Sequence, residues 1–352
     1  MIANNGAEDD LRDLFPKAAL PTLLSQHLTV LAQRRPAIFR KALFCMALAL
    51  LVSRTMGLER SDVEAAYISG LVHDIGLLHI DPHVLDKTGT LDADEWRAVQ
   101  SHVVVGKMML ENLPGVCPRA ARAVLEHHEQ FGGTGYPTGK ADDDLDPLGQ
   151  IIAMADALQA IRVNQFAPQG LNLASAMPYL HMNATTHFYA VYEAVHTLLK
   201  RSGLKAARST GTGDLTTFAG RLLARGAVQG NIIRPLMTVE RVIPTIETGC
   251  KGCPVLRLAG RVLRMLRSSG MFQDELAQWL DHIHRRERTL EGALEELNTI
   301  ELMQRELTWQ LGSVRRALDE FLGRECDERT PNRELLVDAL TQVNDCVDGL
   351  KA

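Results

Sequence analysis

The amino-acid sequence predicts an all-α protein, and three observations support this fold class. Leu and Ala dominate the composition while aromatic residues make up only 5% of it, and Leu and Ala both favour helices. Between residues 37 and 200 the apolar residues follow helical rather than alternating spacing. The polar residues with metal-binding chemistry lie on or at the ends of these predicted helices. We therefore predict a helical bundle over residues 37–201 and a mainly helical region after it.

Length, charge and cysteine content limit the classes of protein to which the chain can belong. Its 352 residues, 46% hydrophobic and 23% charged, are typical of a globular protein of about two domains. The net charge of −5 gives no general attraction for DNA, so we expect no nucleic-acid partner. The acidic N-terminus lacks the apolar segment of a signal peptide, and the apolar run 42–52 is short for a membrane span. Because the 6 cysteines do not suggest a disulfide framework, we expect a cytoplasmic protein without a membrane partner.

The N-terminal half divides into a lead-in and a series of helices. Residues 1–36 form a lead-in that prolines interrupt. Residues 37–56 are apolar on most faces, which predicts a buried helix. Asp92 and Glu95 have the spacing of a capping box, which predicts a helix that runs to about Asn112 and carries His102. Further helices are predicted from Pro118 to the adjacent histidines and over residues 148–163.

The C-terminal region follows a predicted linker at residues 202–214, which is rich in small and polar residues. In the C-terminal domain, residues 215–352, the segment 232–246 has a partly strand-like pattern. Residues 290–321 have a heptad pattern that predicts a coiled-coil-like helix. This helix can pack against the apolar face of residues 333–350 in the same chain, or against a second copy in a homodimer. Its apolar positions are Leu290, Ala293, Leu297, Ile300, Leu307, Leu311, Val314, Leu318 and Phe321, with Gln304 as the polar exception.

Histidine and aspartate residues recur on successive predicted helices. Imidazole nitrogens and carboxylate oxygens suit Zn, Fe and Mn, and an aspartate can bridge two ions through its two oxygens. A lone histidine is usually an ordinary core or surface residue, but a joint pattern on several helices favours a metal site. The candidate ligands are His73, Asp74, His102, His127, His128 and Asp156.

The motifs around these residues resemble the HD-GYP family. They are HDIG at residues 73–76, VLDKTGTLDADEW at 84–96 and EHHEQFGGTGYPTG at 126–139, within a match over about residues 37–165. The resemblance implies an all-helical HD domain with a centre of two or three ions, often Fe or Mn. It implies hydrolysis of the bacterial second messenger cyclic di-GMP, with the six residues above as ligands and Asp74 as the bridging, catalytic carboxylate.

The resemblance also assigns residues beside the substrate. Gly135, Tyr136 and Pro137 would form a loop that contacts the nucleotide and can meet a partner of the diguanylate-cyclase type. Lys87 matches the family pattern and is predicted to steady a phosphate as a catalytic and substrate-binding residue; the alternative is an ordinary loop lysine. Arg162 is predicted to compensate for a lost cation; the alternative is a solvated helix residue.

The sequence departs from the family pattern at three places. Lys41 and Ala37 stand where the family has a His and a Glu, so we expect no third ion, and one of the remaining two loses a ligand. Either the Lys41 ammonium takes the place of that ion, or His27 replaces the missing ligand. Leu77 stands where the family has a phosphate-binding Lys, and residues 162–166 replace a segment rich in Arg.

Two functional hypotheses follow. The first is a phosphodiesterase that holds about two divalent ions, Fe or Mn, and hydrolyses cyclic di-GMP. The second is a degenerate domain that senses a nucleotide or docks a partner without turnover. Separately, Cys250 and Cys253 have the spacing of a zinc or redox motif, although a turn with buried thiols is the simpler interpretation.

Overall fold

The computed structural model describes residues 20–89, 91–130, 133, 135–140, 144–183, 188–204, 214–246, 254–285 and 292–350. These residues form helices, turns and irregular segments, and no strand occurs among them. The all-α prediction is therefore confirmed. Cys250, Cys253, Leu290 and most of the predicted linker lie outside the described residues.

The chain divides into two compact units. Met1–Ala176 and Thr186–Ala206 form the first, while Met177–Thr185 and Ala207–Ala352 form the second. In chain order the helices are α1 (Thr22–Arg34), α2 (Pro36–Thr55), α3 (Arg60–Val72), α4 (Pro82–Leu85), α5 (Ala93–Gln100), α6 (His102–Glu111), α7 (Pro118–Glu126), α8 (Pro147–Ile161), α9 (Met177–Met182), α10 (Tyr189–Arg201), α11 (Leu215–Gly230), α12 (Ile233–Val242), α13 (Pro254–Ser268), α14 (Asp274–His284), α15 (Ala293–Arg324) and α16 (Arg333–Gly349). The short helix α9 belongs to the second unit although it precedes α10.

The central helix of the first unit is α2. Among the described residues it is the one helix long and apolar enough to cross a membrane. However, it packs against α1, α3, α8 and α10 of the same unit. Ala42, Leu50 and Val52 are completely buried among these neighbours. The helix therefore has the environment of a core helix, and its apolar composition follows from burial on several faces.

Helix α1 belongs to the same core, although the sequence places it in a lead-in. Its buried residues Leu24 and Leu28 share a hydrophobic cluster with Met46 and Leu50 of α2. The compact unit thus begins before the predicted domain start at residue 37.

The predicted helix from Asp92 to Asn112 is two helices. The capping box is present, because the Asp92 carboxylate accepts hydrogen bonds from the backbone N–H of Glu95 while the Glu95 carboxylate accepts one from Asp92 N–H. A turn at Ser101, whose hydroxyl donates to Ala98 O at 2.7 Å, separates α5 from α6. His102 is consequently the first residue of α6 rather than a mid-helix residue.

A tight turn after α3 brings the HDIG segment against α6. Ile75–His79 form a 3₁₀ helix that packs on α6. A Cβ atom at Gly76 would lie 2.1 Å from the His102 backbone O. Only glycine permits this approach, so Gly76 sets the separation between the His73–Asp74 pair and His102.

In the second unit, the strand-like interpretation of residues 232–246 is wrong. Ile233–Val242 form α12, and its buried residues Leu236, Val239 and Val242 recur at helical spacing on one face. The two prolines do not prevent this, because Pro235 lies in the first turn of the helix and Pro244 lies beyond its end.

The heptad side chains of α15 are buried inside the second unit. Leu307, Leu311, Val314 and Leu318 share a hydrophobic cluster with α13 and with Leu336, Val343 and Val347 of α16. The polar exception Gln304 is anchored through its Nε2 atom, which donates to Leu222 O at 2.8 Å. This packing favours the arrangement within one chain; a homodimer through these helices stays a prediction.

Candidate metal centre

The helices of the first unit bring together all six predicted ligands. His73 and Asp74 directly follow α3, His102 begins α6, His127 and His128 follow α7, and Asp156 lies in α8. Their donor atoms form two groups. The three-histidine group is Asp74, His102, His127 and His128, whose donor atoms all lie within 4.8 Å of one another. The cysteine group is Cys45, His73 and Asp156, which meet the same limit.

In the three-histidine group the imidazoles converge on one oxygen of Asp74. The Nε2 atoms of His102 and His127 lie 3.5 and 4.0 Å from Asp74 Oδ1, and 3.5 Å from each other. The His102 and His127 rings are nearly inaccessible to solvent. His128 stacks against His127 with a centroid distance of 4.1 Å.

Backbone carbonyls select the tautomer of His73, His102 and His127. The Nδ1 atoms of His73, His102 and His127 lie 2.7–2.9 Å from the carbonyl oxygens of Gly70, Val99 and Val124, each three residues earlier. Because a carbonyl can only accept, each Nδ1 carries the proton and each Nε2 offers a lone pair. Orientation of this kind by a second hydrogen bond is typical of metal-binding histidines.

Burial holds the three histidines of the first group neutral. Burial lowers the pKa of His102 and lowers that of His127 strongly. It lowers the pKa of His128 to about 3. Burial alone would raise the pKa of Asp74, but the neighbouring His73 imidazole and Lys41 ammonium outweigh burial, hold the pKa well below its usual value and keep the carboxyl ionised. The group thus consists of three neutral imidazoles and one carboxylate, the protonation states that bind a metal ion.

The residues fit a divalent ion at the three-histidine group. Two neutral imidazole Nε2 atoms that face each other at 3.5 Å are both acceptors and cannot hydrogen-bond to each other. A cation between them satisfies both lone pairs. The donor set of imidazole and carboxylate suits Fe, Mn or Zn.

The side-chain ammonium of Lys41 lies beside the cysteine group. Lys41 Nζ lies 2.8 Å from Asp74 Oδ2 and 2.7 Å from Asp156 Oδ1. Burial works against the charged form of Lys41, but the two carboxylates outweigh it and raise the lysine pKa above its ordinary value. His73 Nε2 lies 3.3 Å from Asp74 Oδ2 and 3.9 Å from Asp156 Oδ1. Of the two alternatives for the missing ligand, the structure thus favours the lysine.

The loop after α7 closes one side of the three-histidine group. The Tyr136 ring stacks on His128 with a centroid distance of 4.7 Å, and Tyr136 N–H donates to His128 O at 3.1 Å. A Cβ atom at Gly135 would lie 2.2 Å from that carbonyl, so glycine is needed there. Pro137 is exposed beside Tyr136.

Two residues at the centre, Cys45 and Glu129, are not among those predicted from the motifs. Cys45 lies one helical turn after Lys41 on α2, and the rule that residues four apart share a face would have found it. Glu129 is buried and anchors the loop: its carboxylate accepts from Thr138 N–H and hydroxyl and from Lys140 N–H. In the sequence, the only indication of its role is that Glu129 directly follows the two adjacent histidines.

Other predicted residues contact partners that belong to neither donor group. Lys87 forms an ion pair with Glu95, and the Arg162 guanidinium stacks over the Phe44 ring at 5.1 Å. The roles of Lys87 and Arg162 toward substrate stay predictions. His27 contacts Leu23 O through Nδ1 on α1, and neither donor group includes it.

Comparisons with known proteins agree with this geometry. A family model described as HD domain matches residues 23–190. The 3'3'-cGAMP-specific phosphodiesterase 3 of Vibrio cholerae serotype O1 is 32% identical over 136 residues, which cover 39% of this chain and 29% of that protein. Phosphodiesterase 1 of the same specificity and organism is 36% identical over 113 residues, or 31% and 25% of the two chains. The cyclic di-GMP phosphodiesterase PA4108 of Pseudomonas aeruginosa is 33% identical over 131 residues, or 37% and 32%.

The matched part spans 32% or less of the length of each of these relatives. The HD domain match includes every predicted ligand, from His73 to Asp156, and the loop at Gly135–Pro137. Within that segment the chain has the His-Asp pair, the adjacent histidines and the Gly-Tyr-Pro loop arranged around one centre. Residues 23–190 of this chain therefore match an HD domain, and the match and these relatives support the resemblance to the HD-GYP family.

Proposed function

We propose that the first unit is a metal-dependent phosphodiesterase that hydrolyses a cyclic dinucleotide in the cytoplasm. The observation that carries this proposal is the three-histidine group, in which three neutral imidazoles and the Asp74 carboxylate converge in a buried site. Similarity to proteins named as cyclic di-GMP and 3'3'-cGAMP phosphodiesterases supports the substrate class.

The donor chemistry favours Fe or Mn at this site. When bound, a divalent ion supplies stabilisation of phosphoryl charge and a lowered pKa for an attacking water. The chain's own residues do the positioning. Asp74 Oδ1 and the Nε2 atoms of His102 and His127 are held on separate helices, so the ligand geometry is fixed before substrate arrives. Fixed donors of this kind require little reorganisation during the reaction.

The loop at Gly135–Pro137 is proposed to bind the nucleotide. Tyr136 stacks on His128, which places an aromatic ring next to a metal ligand. Aromatic faces stack readily on nucleobases. Glu129 ties the far side of the loop to the α7 end, which keeps Tyr136 at a fixed distance from the centre.

Turnover of cyclic di-GMP and of 3'3'-cGAMP tests this proposal. The protein is purified without oxygen and assayed with added Mn²⁺ or Fe²⁺. We expect turnover of at least one nucleotide, and a loss of about 100-fold or more in Asp74→Asn and His102→Ala. His27→Ala is the matched control, because it removes an imidazole of the same unit that lies outside both donor groups. Metal-loaded protein that turns over neither nucleotide would exclude the enzyme.

A signalling module without turnover is the second candidate. It is favoured by Lys41, which lies between Asp74 and Asp156, and by Leu77, which carries no charge for a phosphate. In this case the exposed Pro137 and its neighbours would dock a protein of the diguanylate-cyclase type. Nucleotide or partner binding without hydrolysis in the same assay would support it.

A further inference from the structure

We propose that the Lys41 ammonium takes the place of a second metal ion, so that each chain binds a single divalent ion at the three-histidine group. This inference rests on the metal centre of the proposed function but not on its turnover. It assigns Lys41 as a cation that belongs to the centre, and it replaces the expectation of two ions.

The first reason is that a second ion and Lys41 would need the same oxygens. Asp74 Oδ2 and Asp156 Oδ1 are the carboxylate atoms that face His73 and the cysteine group. Lys41 Nζ already lies 2.8 and 2.7 Å from these two atoms. An ion bound to both would sit about 2.0–2.2 Å from each, in the space that the ammonium nitrogen fills. A second ion therefore requires Lys41 to leave.

The second reason is charge. Asp74 and Asp156 are the carboxylates among the donor residues of the two groups, and Lys41 is ion-paired with both of them. A divalent ion in the three-histidine group adds two positive charges a few ångströms away. A further divalent ion beside the ammonium would face repulsion from both cations with no additional anion among these donors.

The third reason is the way in which Asp74 divides its oxygens. Oδ1 faces His102 and His127, while Oδ2 faces Lys41 and His73. One carboxylate thereby joins the metal group to the ammonium, as it would otherwise join two ions. Asp156 is then an ion-pair partner of Lys41 rather than the metal ligand that the sequence predicts.

The same geometry contains a second donor set that Lys41 blocks. Cys45, His73 and Asp156 have donor atoms within 4.8 Å of one another. The buried His73 Nε2 has no hydrogen-bond partner, and its Nδ1 already donates to Gly70 O. If the ammonium is removed, this lone pair, the thiol and two carboxylate oxygens become available to an ion.

Metal stoichiometry tests the inference without any turnover. Apo protein is titrated with Mn²⁺ by calorimetry, and the bound ion is counted by elemental analysis after desalting. We expect about one equivalent for the unaltered chain and about two for Lys41→Met and Lys41→His. Electron paramagnetic resonance of the Mn²⁺ forms should change from an isolated-ion spectrum to a coupled one. Lys87→Met is the matched control, because it removes an ammonium that pairs with Glu95 outside the donor groups, and it should keep one equivalent.

Asp156→Asn gives a check that does not require a Lys41 variant to fold. If Lys41 replaces the second ion, this variant keeps its single equivalent with little change in affinity. Two tightly bound ions in the unaltered chain, or one ion in folded Lys41→Met, would overturn the inference and leave the phosphodiesterase proposal intact. One ion without nucleotide turnover would overturn only the phosphodiesterase. No bound ion at all would overturn both.

Discussion

Single glycines decide how closely the ligand-bearing segments approach each other. At Gly76 a Cβ atom would lie 2.1 Å from His102 O and 2.9 Å from Gly106 N. Both obstacles are backbone atoms, so α6 would have to move. We expect Gly76→Ala to destabilise the first unit by about 1–3 kcal/mol and to weaken metal binding, because His102 would shift relative to Asp74.

Chemical denaturation and metal titration measure both effects of this substitution. Gly89→Ala is the control, because no atom lies within 4 Å of a Cβ at that position. Equal stability of the two variants would show that the contact at Gly76 is easily relieved.

Glu129 is the residue that fixes the Gly-Tyr-Pro loop. Its carboxylate accepts two bonds from Thr138 and one from Lys140, at 2.7–3.1 Å. Truncation in Glu129→Ala leaves these donors without their acceptor, which costs about 1–3 kcal/mol. We expect a lower melting temperature and, if the loop binds the nucleotide, a larger rise in KM than fall in kcat. Glu111→Ala, which removes a more exposed carboxylate from α6, should leave both unchanged.

At the scale of elements, the sequence predicts the helices but not all of their ends. Periodicity places α2, α7 and α8 close to their observed bounds, because each has a wide apolar face and begins or ends at a proline or a turn. The break between α5 and α6 has no comparable signal, since Ser101 is compatible with a helix interior. The strand-like pattern in α12 arises from β-branched residues, whose burial on one helical face depends on tertiary packing.

The candidate site is predictable to a similar extent. The six candidate ligands are all predicted from the sequence: five lie at the end of a helix, and Asp156 lies within α8. The choice between Lys41 and His27 does not follow from the sequence, and Cys45 follows only from its position four residues after Lys41, since both depend on which face α2 turns toward α8. That orientation comes from burial of the rest of α2 rather than from any local pattern.

A buried carboxylate in α15 gives the second unit a pH-dependent stability. Glu306 is almost fully buried, and burial raises its pKa above the usual value, although a hydrogen bond from Gln310 Nε2 at 2.8 Å opposes the shift. Between the unfolded pKa and the raised folded pKa, the folded state binds more protons than the unfolded state. The stability that protonated Glu306 contributes is therefore present below the unfolded pKa and falls as pH rises toward the folded pKa.

We expect Glu306→Gln to remove this pH dependence. At pH 8 the variant should melt about 2–4 °C higher than the unaltered chain, the shift that about 1 kcal/mol produces in a unit of this size. Near pH 4 the two proteins should melt together. Thermal unfolding at several pH values measures this. Glu334→Gln, at an exposed position on α16, is the control and should be neutral. A lower melting temperature for Glu306→Gln at pH 8 would show that the charged form is favoured in the fold.

At the scale of the whole molecule, the two units differ in what stabilises them. The candidate metal donors found among the described residues lie in the first unit. The second unit depends on an apolar cluster in which Leu307, Leu311 and Val314 are completely buried. A chain of this kind need not unfold in a single transition.

Metal ions should therefore stabilise one part of the chain selectively. A ligand that binds only the folded state adds about 2.7 kcal/mol when its concentration is 100 times its Kd. In calorimetric scans we expect Mn²⁺ to raise, and a chelator to lower, the melting temperature of the first unit alone. Asp74→Asn should abolish the shift. Leu311→Ala leaves a cavity in the apolar cluster of the second unit and should reduce its free energy of unfolding by about 2–5 kcal/mol. The melting temperature of the metal-independent transition should fall accordingly. If Mn²⁺ moves both transitions equally, the units unfold together, and the selective effect is excluded.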